Sequence, residues 1–257
     1  MNAFEPRFPT WAPVAGVPSA LPGVDVFRFS LAASVEPSVA LRCHLDAEEC
    51  ARADRFVVPT AAEQFVLGRV GLRRILGHFL QVAPRAVRLR YGVHGRPELA
   101  APFDRAGLTF NLAHSHGMAI CAVTHGGGLG VDLERVRAEV ATEAIARRYF
   151  ATAEVAALLS VPERERARAF FRIWTRKEAY LKAVGTGIAG VLQSFEVNLE
   201  PGPAARFVAH YREPSETSRW MLFDIADLEE YPEYAASLVV EVGAASSIRR
   251  WDGVPGP

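Results

Sequence analysis

The stretch Gly-Val-Asp-Leu-Glu at residues 130–134 restricts the local fold more than any other part of the chain. Apolar Val131 and Leu133 alternate with acidic Asp132 and Glu134, which is the two-residue period of a β-strand. One face of this strand is therefore apolar, and the other carries two carboxylates side by side. Like charges this close repel, and more strongly where water is partly excluded. A strand that keeps both acids favours a cation nearby.

Helices and strands alternate along the rest of the chain, which predicts a mixed α+β fold. Apolar side chains such as Phe65, Leu72 and Leu76 recur at helical spacing. We predict helices over 46–56, 61–80, 138–149, 152–159 and 163–184, and strands over 24–32, 86–92, 108–124 (two strands), 130–134, 195–199, 206–211, 220–225 and 237–242.

Two segments share an order of features. Residues 56–77 and 149–185 each begin with an aromatic residue, continue as a helix and end in a basic–aliphatic–glycine sequence. One interpretation is that the chain consists of two related α+β lobes joined near Gly126–Gly130, with a ligand in the crevice between them. The alternative is that two amphipathic helices are similar by chance. The first interpretation predicts a proline-rich lead-in at 1–23, an N-terminal lobe at 24–125, a C-terminal lobe at 126–245 and a tail at 246–257. Within the tail, residues 251–257 are predicted to be disordered.

Charge and cysteine content exclude some classes of protein. Lys plus Arg and Asp plus Glu each number 29, so the formal net charge is zero. This balance disfavours a generic nucleic-acid or membrane-surface protein, and no apolar run of about 18 residues predicts a membrane span. Cys43, Cys50 and Cys121 lack CxxC spacing and are predicted to be free thiols in a reducing compartment. We therefore expect a soluble, cytoplasmic protein.

The second informative pair is Glu178 and Lys182, which are four residues apart and so lie on one face of the predicted helix. An exposed salt bridge worth a few tenths of a kcal/mol explains most such pairs. This chain, however, has 27 arginines and only two lysines, Lys177 and Lys182. A site that needs a compact ammonium group, as a point charge for phosphate or as a proton donor, explains that choice better.

Asp132, Glu134 and Glu178 together offer three carboxylates. Oxygen ligands suit a hard ion such as Mg²⁺, for which Mn²⁺ can substitute, and a dication converts the repulsion on the strand into attraction. The sequence lacks HExxH, P-loop and GxSxG motifs, and the glycine-rich residues 125–130 are interpreted as a hinge. The His114–Ser115–His116 sequence is only weak evidence for a metal pair.

Two of these motifs resemble the signature pair of the 4′-phosphopantetheinyl transferases. GVDLE, followed about forty residues later by WTRKEAYLKAVG at 174–185, is similar to the family patterns G-[IV]-D-[ILV]-E and W-[ST]-x-K-E-[AS]-x-x-K-x-x-G. LGRVGLRRIL at 67–76, GRPEL at 95–99 and FNLAHS at 110–115 are similar to lesser family motifs, although Arg96 replaces a lysine and Ala113 a serine. The resemblance covers about 45–245, and the length matches the larger, two-lobed surfactin-type members.

The resemblance implies an α+β fold of two similar α/β lobes related by pseudo-twofold symmetry, in a monomer. It implies transfer of the 4′-phosphopantetheine group of coenzyme A to a serine of an apo acyl or peptidyl carrier protein, with Mg²⁺ as cofactor and release of 3′,5′-ADP. The pathway served would be fatty-acid, polyketide or nonribosomal-peptide synthesis.

The resemblance also implies roles for individual residues. Asp132, Glu134 and Glu178 would bind the metal, and Glu178 would also take the proton of the incoming serine. Lys182 would contact the α-phosphate and stabilise or protonate the leaving ADP.

Further residues would bind coenzyme A by the same resemblance. Arg69 would contact its 3′-phosphate, and Arg96, His114 and Lys177 its other phosphates. A surface arginine explains Arg69 as well, and a core hydrogen bond explains His114. Glu154 matches a family acid, but an acid in the first turn of a helix needs no further explanation.

Two other functions are compatible with the same acids: another Mg²⁺-dependent enzyme that cleaves a nucleotide pyrophosphate, and a non-catalytic binder of carrier proteins. Carrier proteins are acidic beside the modified serine, by family resemblance, so a chain without net charge needs a local basic surface to attract them. Residues 135–150, with four arginines, are the predicted docking surface. Alternatively, these arginines pair with Glu139 and Glu143 on a solvated helix.

Overall fold

The computed structural model describes residues 12–13, 23–32, 38–92, 95–185, 192–202, 205–225, 231–244 and 247–256. The chain divides into two compact units. The N-terminal unit contains the described residues up to Gly126 together with 247–256, and the C-terminal unit contains those from Gly127 to 244. Apart from Ala12, Pro13 and Gly23, the predicted proline-rich lead-in lies outside the described residues.

Both units combine helices with strands. The strands are β1 (Ala12–Pro13), β2 (Val24–Ser30), β3 (Leu89–Tyr91), β4 (Pro97–Leu99), β5 (Leu108–Ser115), β6 (Met118–His125), β7 (Leu129–Arg135), β8 (Phe195–Val197), β9 (Phe207–His210), β10 (Trp220–Asp224), β11 (Tyr234–Glu241) and β12 (Ile248–Asp252). The α-helices are α1 (Ser38–Leu41), α2 (Ala47–Asp54), α3 (Pro59–Leu80), α4 (Glu143–Tyr149), α5 (Thr152–Ser160), α6 (Glu163–Val184) and α7 (Glu216–Arg219).

The N-terminal unit is built on a five-stranded sheet in the order β1-β12-β2-β6-β5. Helix α3 covers the sheet because Leu72, Ile75 and Leu76 recur on one face and are fully buried in the same core as Phe27. Pro59 starts this helix at a position where its missing N–H costs nothing. The hairpin β3–β4 lies outside the main sheet.

The C-terminal unit has a three-stranded antiparallel sheet, β10-β11-β7, and a separate hairpin, β8–β9. Helix α6 packs its apolar stripe, including Phe170, Ile173 and Leu181, into the core of this unit. It ends at Gly185, whose φ of 75° allows the left-handed turn that stops the helix.

The predicted α+β class is confirmed, and most predicted helices and strands are present. The pseudo-twofold relation between the lobes stays a prediction. Cys43, Cys50 and Cys121 are free thiols, as predicted. None of the described helices is both long and apolar enough to cross a membrane.

The prediction of a tail over 246–257 is wrong for residues 248–252. They form β12, which pairs in parallel with both β1 and β2. Asp25 of β2 accepts hydrogen bonds from the guanidinium of Arg249 (2.7 Å) and from Nε1 of Trp251 (2.8 Å). The glycine- and proline-rich sequence after Trp251 does not indicate a strand. The partners of β12 lie at the other end of the sequence, so the local pattern does not predict the pairing.

The predicted helix over 138–149 is shorter than expected. It begins at Glu143, because the side chain of Thr142 caps it by accepting a hydrogen bond from the backbone N–H of Ile145. Residues 136–142 precede it as non-helical chain.

Candidate active site

Strand β7 and helix α6 approach each other closely at Gly130. A Cβ atom on Gly130 would overlap the carbonyl oxygen of Ala179 and the backbone nitrogen of Ala183, both on α6. Asp132 lies two residues further along β7 and therefore points to the same face of the strand as Gly130. The close approach thus places Asp132 against the turn of α6 that carries Glu178 and Lys182.

We expect Gly130→Ala to lower the free energy of unfolding by about 1–3 kcal/mol, because the added methyl group forces α6 away from β7. Catalytic activity is expected to fall with it, since the acids on the two elements separate. Urea unfolding and activity measurements check both effects. Gly68→Ala is the matched control, because its Cβ atom would lie at an ordinary van der Waals distance from Leu31. Equal effects of the two substitutions would contradict the explanation.

The ammonium of Lys182 donates a hydrogen bond to Oδ1 of Asp132, with Nζ and Oδ1 2.6 Å apart. Asp132 is 5 % exposed and Glu178 8 % exposed. The other oxygen of Asp132, Oδ2, and one oxygen of Glu178, Oε1, are buried without a hydrogen-bond partner in the described part of the chain. Two buried carboxyl groups therefore lie close to a partly exposed ammonium, and each carboxyl group has one oxygen without a hydrogen-bond partner among the described residues.

The surroundings shift the protonation of both acids. Burial raises the pKa of Asp132, and Lys182 opposes that rise. Burial, followed by the negative charges of Asp132 and Glu134, raises the pKa of Glu178 to about 7. A carboxylate with a pKa near neutrality is suited to accept a proton during a reaction.

The donor set fits a hard divalent cation in its chemistry. Asp132 and Glu178 each offer one buried oxygen that has no hydrogen-bond partner among the described residues, and Glu134 adds negative charge to the same region. Among the described residues, no three His, Cys, Asp or Glu side chains already stand as a group that could hold a metal ion. The predicted ligation by Asp132, Glu134 and Glu178 therefore stays a prediction.

Lys177 does not contribute to this site, and its predicted contact with coenzyme A phosphates is wrong. Its side chain is fully buried, and its ammonium donates to the carbonyl oxygens of Leu192 (2.7 Å) and Phe195 (2.6 Å). Glu154 Oε2 lies 2.8 Å from the same ammonium. Burial raises the pKa of Glu154 and lowers the pKa of Lys177, and each charge partly offsets the shift of the other. Lys177 and Glu154 therefore stabilise the core of the C-terminal unit.

We expect Lys177→Met to lower the free energy of unfolding by about 3–5 kcal/mol, because it leaves Glu154 buried without its partner. Adding Glu154→Gln is expected to restore part of the loss, since no uncompensated charge then remains. A double-mutant cycle measured by urea unfolding checks this. If Lys177→Met left the stability unchanged but weakened coenzyme A binding, the result would support the predicted contact of Lys177 with the phosphates after all.

Arg69 lies on α3 with its guanidinium carbon 5.4 Å and 5.3 Å from the ring centroids of Phe65 and Tyr91. It is 9 % exposed, and its Nη1 has no hydrogen-bond partner among the described residues. Burial lowers the pKa of the guanidinium from its ordinary value. The alternative of a surface arginine is therefore wrong, and an unused buried donor is compatible with the predicted anion contact.

Arg96 and His114 lie in the same unit as Arg69. Arg96 is half-buried and donates to the carbonyl oxygen of Phe110 (3.3 Å), on the strand that also carries His114. His114 is exposed, so the alternative of a core hydrogen bond is wrong. Their contacts with phosphate stay predictions.

Several residues that shape these sites cannot be recognised from the sequence. The sequence predicts neither the close approach of Gly130 to α6 nor the contact of Tyr91 with Arg69. The ion pair between Arg176 and Asp224, which connects α6 to β10, is also not predicted. Nη2 of Arg176 lies 2.7 Å from Oδ2 of Asp224. The glycine at the start of the predicted strand 130–134 is the one available signal, because a glycine within a strand often marks a close backbone approach.

Comparison with known proteins extends over much of the chain. The family model described as the 4′-phosphopantetheinyl transferase superfamily matches residues 128–239. The 4′-phosphopantetheinyl transferase HetI of Nostoc sp. is 43% identical over 166 residues, which cover 65% of this chain and 70% of HetI.

Two further relatives come from bacilli. The 4′-phosphopantetheinyl transferase psf-1 of Bacillus pumilus is 30% identical, over 65% of this chain and 70% of that protein. The 4′-phosphopantetheinyl transferase Sfp of Bacillus subtilis is 28% identical, over 65% of this chain and 71% of that protein.

Proposed function

This chain belongs to the 4′-phosphopantetheinyl transferase superfamily and is a transferase, and from that premise we propose its full reaction. It transfers the 4′-phosphopantetheine group of coenzyme A to a serine hydroxyl of an apo carrier protein, requires Mg²⁺ and releases 3′,5′-ADP. The observation that carries the proposal is the meeting of Asp132, Glu178 and Lys182 where β7 touches α6. There two buried carboxyl groups lie beside an ammonium whose Nζ is 2.6 Å from one of them.

Each side chain has a task in this reaction. Glu178 accepts the proton of the serine hydroxyl. The serine oxygen attacks the phosphorus of the pantetheine phosphate, and the bond from that phosphorus to the ADP oxygen breaks. Lys182 places its positive charge on the phosphates and stabilises the leaving ADP, to which it can give a proton. Asp132 and Glu178, with Glu134, would hold Mg²⁺, which when bound neutralises the pyrophosphate charge.

Coenzyme A binding is assigned to three residues of the N-terminal unit. Arg69 offers a buried Nη1 that has no hydrogen-bond partner within the described residues, which suits the 3′-phosphate. Arg96 and exposed His114 offer further donors to the other phosphates. Phosphoryl transfer depends mainly on such charge neutralisation and positioning.

Incubation with coenzyme A, Mg²⁺ and an apo carrier protein tests the proposal, with the carrier analysed by intact-mass spectrometry. We expect the carrier to gain one phosphopantetheine group while 3′,5′-ADP appears in equal amount. Cleavage of coenzyme A without a carrier would indicate a pyrophosphate-cleaving enzyme instead. A carrier that binds but stays unmodified would indicate a non-catalytic binder.

The carrier is proposed to dock on residues 135–150. Arg147 and Arg148 are exposed there, although the apolar Val140 and Ile145 turn partly inward against the core. A groove of about 660 Å³ adjoins the segment, and Phe150, Val155 and Leu159 contribute apolar lining beside Arg147. A basic, partly apolar surface of this kind suits an acidic amphipathic helix.

Part of that basic charge is already paired. Arg147 Nη2 lies 2.5 Å from Glu143 Oε1, one helical turn away, as the alternative interpretation of these arginines requires. Both groups are exposed, so the pair is weak and leaves positive charge available to a partner. The guanidinium of Arg148 lies over the ring of Tyr149, with Cζ 5.3 Å from the ring centroid.

We expect Arg147→Glu with Arg148→Glu to raise KM for the carrier severalfold and to leave KM for coenzyme A nearly unchanged, because steering charges act on encounter with the protein partner. The effect should shrink at high ionic strength, where screening removes it. Steady-state kinetics at two salt concentrations measure both constants. Arg164→Glu with Arg206→Glu, which makes the same charge change elsewhere in the unit, is the control, and an unchanged carrier KM would place docking on another surface.

A further inference from the structure

The ammonium of Lys182 occupies part of the coordination space that the proposed metal would need. It lies 2.6 Å from Oδ1 of Asp132, and two other acceptors of the site, Asp132 Oδ2 and Glu178 Oε1, are buried and have no hydrogen-bond partner in the part of the chain that the structure describes. An acid as buried as Asp132 is costly to leave without a compensating cation. In the metal-free protein, Lys182 supplies that cation.

A divalent ion and an ammonium cannot both lie against the same carboxylate without strong repulsion. Oxygen ligands surround a bound Mg²⁺ closely, at about 2.1 Å, so an ammonium at hydrogen-bond distance from the same oxygen would compete with the ion. The side chain of Lys182 is 31 % exposed, and its flexible four-carbon stem allows it to turn away.

We propose that Lys182 is an exchangeable counter-cation: it neutralises Asp132 until a divalent ion binds, and the ion displaces it. This inference rests on the proposed function, since it assumes a metal at this site. Lys182 therefore sets the affinity for the metal, and its ammonium becomes available to the substrate phosphates when the ion has bound.

The choice of lysine fits this exchange. Arginine supplies 27 of the 29 basic side chains, yet a lysine stands here. A guanidinium forms two parallel hydrogen bonds to a carboxylate and would engage both oxygens of Asp132. An ammonium engages one oxygen and leaves the other open. Exchange thus predicts opposite effects for two substitutions: removing the charge tightens metal binding, and Lys182→Arg weakens it.

Mn²⁺ binding to the coenzyme A-free protein tests the inference, measured by titration calorimetry and by electron paramagnetic resonance of the free ion. All titrations are run at the same pH of 8.5. We expect Lys182→Met to bind Mn²⁺ about tenfold more tightly than the wild type, and Lys182→Arg severalfold more weakly. Arg164→Met, which removes an exposed charge near the start of the same helix, should bind as the wild type does.

The control Asp132→Asn separates the two hypotheses. Mn²⁺ binding that Asp132→Asn abolishes, but that Lys182→Met does not tighten, would overturn the exchange and leave the proposed metal site intact. A wild type that binds no Mn²⁺, or binds it equally well as Asp132→Asn, would overturn the metal site and the exchange with it. If Lys182→Met does not fold, Lys182→Arg decides the matter, since tighter binding by that variant contradicts the exchange.

A thermal measurement gives a second readout. Mn²⁺ should raise the midpoint of unfolding more in Lys182→Met than in the wild type, because the variant starts without its counter-cation and binds the ion more tightly. A smaller rise in the variant would mean that the lysine holds the acids ready for the metal, and would overturn the exchange.

Discussion

Asp132→Asn is expected to reduce phosphopantetheine transfer by about 10³-fold or more and to abolish divalent-metal binding. The substitution keeps the shape of the side chain but removes the charge that the proposed metal needs. Charge stabilisation by a metal is worth several kcal/mol, and each 1.36 kcal/mol corresponds to a factor of ten in rate. Steady-state kinetics at saturating coenzyme A and carrier measure the loss.

The fold should survive this substitution. Asp132→Asn removes a buried charge whose desolvation is unfavourable, and it relieves the repulsion that raises the pKa of Glu178. These gains offset the loss of the pair with Lys182. Asp54→Asn, at an exposed position that pairs with Arg42, serves as the control. A near wild-type kcat with Mg²⁺ in Asp132→Asn would place the metal elsewhere.

Glu178→Gln is expected to reduce transfer by about 10²–10⁴-fold, the usual loss when a general base is removed. It should also change the pH dependence of stability. The pKa of Glu178 is raised in the folded protein to about 7 from an ordinary 4.5, so the folded state binds this proton more tightly than the unfolded state. The resulting stabilisation is complete below about pH 4.5 and is lost as the pH rises through about 7.

At pH 8 the metal-free wild type bears the cost of ionising a buried acid, and glutamine does not. The Gln variant should therefore be more stable than the wild type by up to about 3 kcal/mol at pH 8, and about equal to it near pH 4.5. Urea unfolding in the presence of a chelator at both pH values checks this. Glu163→Gln, at the exposed start of the same helix, should show no such difference.

The sequence was sufficient for the parts of the site that depend on local geometry. Alternation along 130–134 predicted a strand, and four-residue spacing predicted that Glu178 and Lys182 share a helix face; both elements are present. It could not reveal that Lys182 pairs with Asp132, fifty residues away along the chain, because that contact depends on how α6 packs on β7.

For Lys177, local sequence spacing leads to a wrong prediction. Its position in the family motif suggested a role in binding, but its acceptors, the carbonyls of Leu192 and Phe195, come from a segment after the helix, and Glu154 comes from a helix before it. A lysine is almost always exposed unless it is paired, and the residues next to Lys177 in the sequence do not indicate its three buried partners. Burial of a lysine is therefore a property of the tertiary structure, which the spacing of the motif does not contain.

The position of β12 has a consequence for the order in which this protein can assemble. Residues 248–252 insert between β1 and β2, and Asp25 and Arg249 pair across 224 positions of sequence. The ribosome delivers this strand only after the whole of the C-terminal unit has been made. Until then β2 exposes an unpaired edge, the kind of surface on which nascent chains aggregate. The unit that is synthesised first is therefore completed last.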